Sequence, residues 1–476
     1  MLCIDTDSQH IVDGLTKLVG DKGIRTGDEA APYAKGARYG AGIALCVVRP
    51  ASAAQVSAVV KFCVAQAVHI VVQGANTGLV GSSSPDATGR QVILSTDRLN
   101  NVCAIDIGNR TATVDAGVSL QELNDSLEPH SFWFPVDLGA NPMIGGMVSA
   151  NTGGTRLIRY GDVRHNLMSL EVVLFDPPGE ILTLGRPLRK DNTGFDLKQL
   201  FVGTSGVGGV ITRATVEIHP LPQQSATALV VPTSDGAVMQ LLAALETELG
   251  DFLAAFEGMS ANAMQVAVDH IPNLRNPFAP EPMPDFAILI ELESSCSLAA
   301  TGLNLVEILN RFLEDKFESM ISNAVIGNAK DLWRLRHGIS EGARSVGKPI
   351  AFDVSVPRAS IMAFRKVATD IVAKDFPFLT VIDFGHIADG GVHFNLVWPH
   401  SASCAFDAAV VNGLRDRIYA VVVEQFDGSF SAEHGVGPHN ASYYQRYTDG
   451  GVKRIAGAIK HTLDPQGLCG SVNYSA

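Results

Sequence analysis

The sequence predicts an α+β protein built from more than one domain. Its 476 residues exceed what a single hydrophobic core usually organises, so two or three domains are expected. Residues 223–420 alternate strand-like and helix-like segments without the period of a βαβ unit, which favours an antiparallel sheet. Residues 137–210, by contrast, are unusually rich in glycine. These three observations separate an N-terminal part from a middle α+β part.

The N-terminal part is predicted to contain short strands and helices. An amphipathic helix comes first, and residues 44–74 then predict strand, helix and strand, with apolar residues at helical spacing in the middle segment. Short strands and a second helix follow in 91–127. Strands resume at LEVVLFD and VITRATVEIHP, and two prolines, Pro220 and Pro222, mark a boundary.

The predicted domains are therefore 1–222, 223–420 and 421–476. In the middle domain, ATALVVPTSDGAVMQLLAALETELG predicts strand then helix, DFAILIELESS a strand, LVEILNRFLEDKFE a helix, and AFDVSVPRASIMAFRKVATDIVAKD strand then helix. A hairpin follows. The last segment holds SAEHGVG and two helix-like stretches.

Composition narrows the class of protein. The net charge of −13 argues against a nucleic acid partner, although a local cationic pocket for a small anion fits within an acidic protein. The N-terminus lacks the basic and apolar regions of a signal peptide, and no run of 18 apolar residues predicts a membrane span. Seven scattered cysteines without C-x-x-C spacing indicate a reducing compartment. We expect a cytoplasmic protein, with peripheral membrane association left open.

The hairpin GHIADGGVHFN, residues 385–395, places two histidines around an Asp-Gly dipeptide. If Asp389 and Gly390 form a two-residue type I′ turn, His386 and His393 become a directly opposed cross-strand pair with Cβ atoms roughly 4.5–5.5 Å apart. That separation suits chelation of one ion, and Asn395 points to the same face as His393. The alternative is a hairpin with two incidental histidines in its core.

Three glycine-rich stretches predict a large cofactor laid against backbone. QGANTGLVG, residues 73–81, follows a strand and exposes backbone N–H groups that can surround a pyrophosphate, although a tight surface turn fits this stretch alone. LGANPMIGGMVSANTGGTRLIRYGDVRHN and FVGTSGVGGVIT complete the set. Long glycine-rich backbone is costly to order, and lining a flat polar ligand gives a reason to keep it.

The order of these stretches along the chain resembles that of FAD-linked D-2-hydroxy acid dehydrogenases of the vanillyl-alcohol oxidase type. The same order includes RKDNTGFDLKQLFVGTSGVGGVIT, GHIADGGVHFN and SAEHGVG. Within that family the D-2-hydroxyglutarate and D-lactate dehydrogenases look most similar. The resemblance implies a two-part FAD-binding domain, an α+β substrate-binding cap domain with an antiparallel sheet, and a C-terminal segment, 421–476, that completes the active site.

The resemblance also implies the FAD contacts. The cofactor-binding residues carried over are Gly74, Ala75, Asn76, Thr77, Gly78, Gly81, Gly139, Gly145, Gly146, Ser149, Gly153, Gly206, Gly209 and Ile211. No histidine or cysteine lies within residues 73–78, where covalent relatives attach the flavin, so we expect FAD to be held without a covalent bond.

The resemblance implies a divalent metal bound by His386, His393 and Glu433. Such a His₂Glu set is an open catalytic site, and zinc is favoured, with manganese and iron(II) fitting the same ligands. His434 would be the general base for the substrate hydroxyl, because an imidazole can take up a proton near working pH, and the Cα hydrogen would pass as hydride to flavin N5.

Substrate contacts are implied for Arg336, Ser340 and Asn395, with Lys348 as a further candidate. Relatives carry a lysine where this chain has Ala351, so D-lactate or another short D-2-hydroxy acid is favoured over D-2-hydroxyglutarate. A surface role is the alternative for Arg336.

Two further departures from the family pattern are Ser205 and Cys469-Gly470-Ser471. An oxidase, a metal-dependent hydrolase and a flavin-binding module without catalysis are the competing functions. Quinone, electron-transfer flavoprotein and a cytochrome are all open as electron acceptors, and a homodimer is one expectation for the assembly.

Overall fold

The computed structural model describes residues 6–475, and the chain forms two compact units. The first unit holds the chain up to Gly153, Gly161–Pro220 and everything from Glu433 onwards. The second unit holds Gly154–Tyr160 and Leu221–Ala432. The domain limits predicted from the sequence, at residues 222 and 420, concern functional parts of the chain and stay a prediction.

The first unit contains a sheet of mixed direction with the order β1-β2-β4-β3, in which β1 is antiparallel and the other three strands are parallel. Its strands are β1 Ile24–Arg25, β2 Ala44–Val48, β3 Ile70–Gln73 and β4 Gln91–Ser95. Two helices, α1 Thr6–Val19 and α2 Ala53–Ala65, bury their apolar faces with this sheet in one core cluster. The α2 helix begins after Ser52, whose hydroxyl accepts a hydrogen bond from the Gln55 backbone N–H.

A second, antiparallel sheet of the first unit has the order β5-β6-β10-β8-β9. The remaining strands of this unit are β5 Val102–Asp106, β6 Thr111–Asp115, β7 Phe132–Trp133, β8 Leu167–Val173, β9 Ile181–Gly185, β10 Val210–Glu217 and β11 His219–Pro220, with β7 paired to β11. Its helices are α3 Leu120–Leu127, α4 Ile144–Ala150, α6 Val163–Asn166, α14 Ala441–Tyr447 and α15 Gly450–Leu463. A separate apolar cluster fills this part, so the core of the first unit is divided.

The second unit is built on one antiparallel sheet with the order β15-β12-β14-β13-β18-β19-β16, and β17 also pairs with β19. Its strands are β12 Gln224–Pro232, β13 Leu253–Ser260, β14 Phe286–Ser294, β15 Ile321–Gly327, β16 Gly347–Ile350, β17 Asp353–Ser355, β18 Thr380–His386 and β19 Gly391–Pro399. Its helices are α5 Leu157–Tyr160, α7 Asp235–Leu249, α8 Ala261–His270, α9 Leu298–Thr301, α10 Leu305–Lys316, α11 Ala329–Val346, α12 Ile361–Asp375 and α13 Ala408–Ala420, the last followed by a π-helical turn at Val421–Gln425. The α+β organisation predicted for this part is confirmed.

The hairpin between β18 and β19 differs from the predicted one. Phe384, not His386, pairs with His393, and residues 387–390 form the turn, so the prediction of a two-residue turn was wrong. Two contacts favour the longer turn: the Asp389 side chain accepts the Gly391 N–H at 2.7 Å, and the Gly390 carbonyl accepts the Val356 N–H at 3.1 Å. A register shift of two residues keeps the side chains on the same faces, because strand side chains alternate with period two.

Within residues 6–475, no helix has both the length and the apolar character needed to cross a membrane.

Candidate active site

A buried carboxylate, Glu257 on β13, joins two predicted site residues. Its side chain is 1% exposed. One oxygen, Oε1, accepts a hydrogen bond from Nδ1 of His386 at 2.6 Å, and the other, Oε2, accepts from Nε of Arg336 at 2.8 Å and lies 2.7 Å from a terminal guanidinium nitrogen. His386 ends β18 and is the register partner of Glu257 across the sheet. The three side chains therefore form one ionic cluster.

The charge state of this cluster follows from its electrostatics. Burial alone would raise the pKa of Glu257, but the attraction of His386 and Arg336 lowers that pKa to about 2. Glu257 is then an anion at neutral pH and acts only as an acceptor. The Nδ1 atom of His386 therefore carries a hydrogen, and in the neutral imidazole the lone pair then lies on Nε2.

His393 on β19 also has a carboxylate beside its ring. Its Nδ1 lies 3.6 Å from Oδ1 of Asp353, which is also its register partner on β17. The rings of His386 and His393 are 5.3 Å apart between centroids, and one nitrogen of each lies within 4.8 Å of the other. Two imidazoles whose Nδ1 atoms face carboxylates are the arrangement that metal-ligating histidines usually have, so these residues fit a divalent metal. Asn395 follows two residues after His393 and shares its face.

Arg336 and Ser340 lie on one face of α11. The Arg336 side chain is buried, which excludes the alternative of a surface cation, and its guanidinium lies 4.5 Å from the centroid of Phe384. The hydrogen bonds that Arg336 donates go to Glu257, so its charge is already balanced within the second unit. Ser340 is half-buried.

Lys348 lies away from the histidines. It pairs with Trp398 at the edge of the sheet, and Trp398 is five residues along β19 from His393. An odd separation along a strand places the two side chains on opposite faces, and a directly paired residue shares its partner's face. The Lys348 ammonium is instead 3.4 Å from the centroid of Phe406. This placement argues against the predicted substrate contact.

The three glycine-rich stretches meet in the first unit. The Gly203 N–H donates to Val148 O at 3.1 Å and the Ser205 N–H to Ser149 O at 2.9 Å, which ties the third stretch to the second. A Cβ added to Gly74 would lie 3.4 Å from Met143 Cβ, so the first stretch also borders the second. This convergence fits one large ligand bound by backbone groups.

Individual glycines in these stretches have different surroundings. A Cβ at Gly78, Gly139 or Gly146 would meet nothing within 4 Å, whereas one at Gly145 or Gly209 would press on Ala116 or Val172. The first three therefore leave room for a ligand, and the last two allow close packing of the unit itself. The other predicted cofactor residues lie in the same three stretches: Ala75, Asn76, Thr77, Gly81, Ser149, Gly153, Gly206 and Ile211.

The first glycine loop is fixed by a side chain. Asn76 has a left-handed backbone with φ of 56°. Its amide nitrogen donates to Lys35 O at 2.8 Å, and its amide oxygen accepts from the Ser83 hydroxyl at 2.8 Å. Asn tolerates this conformation better than most residues. The loop is therefore ordered by protein contacts and keeps backbone groups for a ligand.

The SAEHGVG segment carries Glu433 and His434. The Gly437 N–H donates to Oδ1 of Asn440 at 2.8 Å, and Nδ2 of Asn440 donates to Gly435 O at 2.9 Å. The hydroxyl of Ser205 donates to Val436 O at 2.7 Å. Ser205, which departs from the family pattern, therefore links the third glycine stretch to this segment.

The second departure, Cys469-Gly470-Ser471, also has packing contacts. The Cys469 thiol donates to Gly206 O at 3.2 Å, and the Ser471 hydroxyl donates to Ser82 O at 2.6 Å. Burial raises the pKa of the Cys469 thiol above its ordinary value, so this cysteine stays protonated. Both residues fasten the C-terminal segment to glycine-rich loops of the first unit.

Sequence reasoning missed Glu257 and Asp353. Glu257 is the one charged residue in a strand, LAAFEGMS, that is buried along its whole length. A buried carboxylate needs a partner, so an isolated charge in an apolar strand was the available signal. Asp353 gave no comparable signal, because its strand is only three residues long.

Comparisons with known proteins match two parts of this chain to domains of FAD-linked proteins. Residues 44–185 match the FAD binding domain family, and residues 221–473 match the C-terminal domain of FAD linked oxidases. A D-2-hydroxyglutarate dehydrogenase, mitochondrial, of Danio rerio is 34% identical over 436 residues, covering 89% of this chain and 76% of the relative. The D-2-hydroxyglutarate dehydrogenase of Xanthomonas citri pv. viticola is 33% identical over 433 residues, covering 88% of this chain and 87% of the relative.

Among solved structures, p-cresol methylhydroxylase with substrate bound has a TM-score of 0.75 at 17% identity, covering 98% of this chain and 96% of that protein. At this identity the likeness concerns the fold, and it confirms the predicted fold class. Together with the matched domains and relatives, it shows that this chain belongs to the FAD-linked D-2-hydroxy acid dehydrogenases, flavoenzymes of the vanillyl-alcohol oxidase type that act on a CH–OH group.

Proposed function

We propose that this chain oxidises a D-2-hydroxy acid to the 2-oxo acid with non-covalent FAD and a divalent metal, favouring zinc, held by His386, His393 and Glu433. The observation that carries the metal is the pair of histidines whose Nδ1 atoms face Glu257 and Asp353. Glu433 follows Ala432, whose N–H donates to the carbonyl oxygen of Asp353 within the second unit. Glu433, the third proposed ligand, is therefore joined by one peptide bond to a residue that is hydrogen-bonded to Asp353. Asp353 is the register partner of His393.

The residues have separate roles in this reaction. When bound, FAD supplies the acceptor for two electrons and the Cα hydrogen, and the metal supplies a Lewis acid for the hydroxyl and α-carboxylate groups. His434 accepts the hydroxyl proton on a ring nitrogen. Ser340 and Asn395 orient the substrate by hydrogen bonds, and Arg336 is held at the site by its ion pair with Glu257.

The favoured substrate is a short D-2-hydroxy acid such as D-lactate. A second carboxylate needs its own cation when it leaves water. Ala351 carries none, Lys348 lies on the opposite face of the sheet from His393, and the Arg336 charge is balanced by Glu257. The second candidate is D-2-hydroxyglutarate, which the names of the Danio and Xanthomonas relatives favour.

A dye-reduction screen tests this function. Purified protein is supplied with D-lactate, D-2-hydroxybutyrate, D-2-hydroxyglutarate and their L forms, before and after treatment with a chelator and after return of Zn²⁺, Mn²⁺ or Fe²⁺. We expect reduction with D acids only, loss of activity on chelation and recovery with metal. Activity on L acids alone, or full activity without metal, would contradict the proposal.

The same preparation separates a dehydrogenase from an oxidase. A dehydrogenase reduces an artificial dye, a quinone analogue, an electron-transfer flavoprotein or a cytochrome much faster than it reduces oxygen. We expect slow peroxide formation under air compared with dye reduction. Peroxide formation at the rate of dye reduction would identify an oxidase.

A further inference from the structure

We infer that Glu257 is a positioning residue that fixes His386 and Arg336 in one arrangement and thereby sets the affinity of the metal site. This inference rests on the proposed function, because it assigns a role to Glu257 toward the proposed ligand His386. Neither composition nor the family resemblance pointed to this residue. The contacts within the second unit carry the argument.

The first arm of the contact orients His386. Oε1 of Glu257 accepts the Nδ1–H of His386 at 2.6 Å, a short hydrogen bond to a charged acceptor. Both side chains are at most 8% exposed, so water does not compete for this bond. A carboxylate at Nδ1 fixes the tautomer and the ring orientation and makes Nε2 a stronger ligand. Glu257 therefore prepares His386 for a metal.

The second arm fixes Arg336. Its Nε and one terminal nitrogen both approach Oε2 of Glu257, and its guanidinium also lies against the Phe384 ring. The same ring is 5.2 Å from the ring of His393. Arg336 thus connects to His386 through Glu257 and to His393 through Phe384. A shift of Glu257 would disturb both histidines and Arg336 together.

Replacement by glutamine would remove one arm. Glutamine has nearly the same shape but only one acceptor oxygen, and its NH₂ group is a donor. Because His386 and Arg336 both donate toward this side chain, the glutamine NH₂ group would face a donor in one of the two contacts. The Arg336 charge also loses its counter-ion, which is costly inside a protein.

The test measures Zn²⁺ affinity in the FAD-loaded full chain by competition with a chelating dye. Glu257→Gln should bind Zn²⁺ about 10- to 100-fold more weakly than wild type, the usual effect of losing a carboxylate behind a histidine ligand, and should keep its FAD. Glu257→Asp keeps the charge but shortens the side chain, and it should weaken Zn²⁺ binding in the same direction. This second variant covers the case in which the glutamine variant does not fold.

Glu293→Gln is the matched control. Glu293 is an equally buried carboxylate on the neighbouring strand β14, hydrogen-bonded to Arg156 and Tyr160 and to neither histidine. It should keep wild-type Zn²⁺ affinity. Equal weakening in Glu257→Gln and Glu293→Gln would show a general loss of packing and overturn the inference.

His386→Ala separates the two proposals. If this variant binds Zn²⁺ as wild type does, the proposed metal site is wrong. If it loses Zn²⁺ while Glu257→Gln and Glu257→Asp keep wild-type affinity, the metal site stands and the positioning role of Glu257 is wrong.

Discussion

Buried carboxylates of the second unit have specific hydrogen-bond donors. Glu291 and Glu293 on β14 both receive hydrogen bonds from Arg156, and Trp333 and Tyr160 each donate to one of them. Burial raises the pKa of Tyr160 above its ordinary value, so its hydroxyl remains a donor. Arg156 lies in the short segment 154–160 that belongs to this unit, and it therefore anchors that segment by charge.

Arg156→Ala should destabilise the second unit strongly. Removing the cation leaves two buried carboxylates uncompensated, and breaking a buried pair costs about 3–5 kcal/mol. Urea unfolding followed by tryptophan fluorescence, to which the buried Trp333 and Trp398 of this unit contribute, would measure the loss. Lys366→Ala is the control, because Lys366 and its partner Asp370 are both about 70% exposed and such pairs contribute roughly 0–1 kcal/mol. Similar stability of the two variants would contradict this view of Arg156.

His434→Ala should keep FAD and metal but lower turnover by at least ~100-fold, the scale of losing a general base. Turnover with the preferred acid, FAD absorbance and metal content would be measured on one preparation. The exposed His400→Ala serves as control and should leave all three unchanged. Nearly normal turnover of His434→Ala would assign the base role to another group.

At the scale of elements, local patterns predicted strands and helices better than they predicted pairing. The segments around Val56, around Phe286 and around Leu305 were predicted from periodicity and turn residues, which act over a few residues. The β18–β19 turn was not, because its register depends on distant strands: β13 pairs with His386 and Val356 binds Gly390. Glu257 was missed for the same reason, since its partners lie far away in sequence.

A substitution at Gly385 would test how tightly that hairpin is packed. A Cβ at this position would lie 2.8 Å from Val392 Cα and 2.9 Å from Gly391 O, so β18 and β19 must separate to accept it. Gly385→Ala should lower stability by about 1–3 kcal/mol, the usual cost of overpacking, and weaken Zn²⁺ binding because His386 follows directly. Gly413→Ala on α13 has nothing within 4 Å of the new Cβ and should be neutral or stabilising. Equal stability of Gly385→Ala and wild type would contradict the crowded hairpin.

At the scale of the whole molecule, the order of motifs along the sequence identified the family, and the folded units then decided between interpretations of individual residues. Five separated stretches contribute to the resemblance, so it does not depend on any one of them. The role of Lys348, by contrast, could not be decided from its distance to Ala351 in the sequence. The sheet register places its side chain on the opposite face from His393. Substrate choice is therefore predicted from the units and not from the family alone.

The prediction for the whole enzyme is that D-lactate or another short D-2-hydroxy acid is used at least as well as D-2-hydroxyglutarate. Ala351→Lys should restore a cation for a second carboxylate. A charge-assisted hydrogen bond contributes about 1.5–3 kcal/mol, so kcat/KM for D-2-hydroxyglutarate should rise about 10- to 100-fold relative to D-lactate. Steady-state kinetics with both acids, in wild type and variant, measures this ratio.

Lys348→Ala is the control for that experiment, and it should leave the ratio unchanged because Lys348 faces Phe406. A wild type that strongly prefers D-2-hydroxyglutarate, is insensitive to Ala351→Lys and loses the preference in Lys348→Ala would show that Lys348 reaches the substrate after all. A strong preference that neither variant alters would place the second carboxylate against Arg336, whose pairing with Glu257 would then have to open when substrate binds.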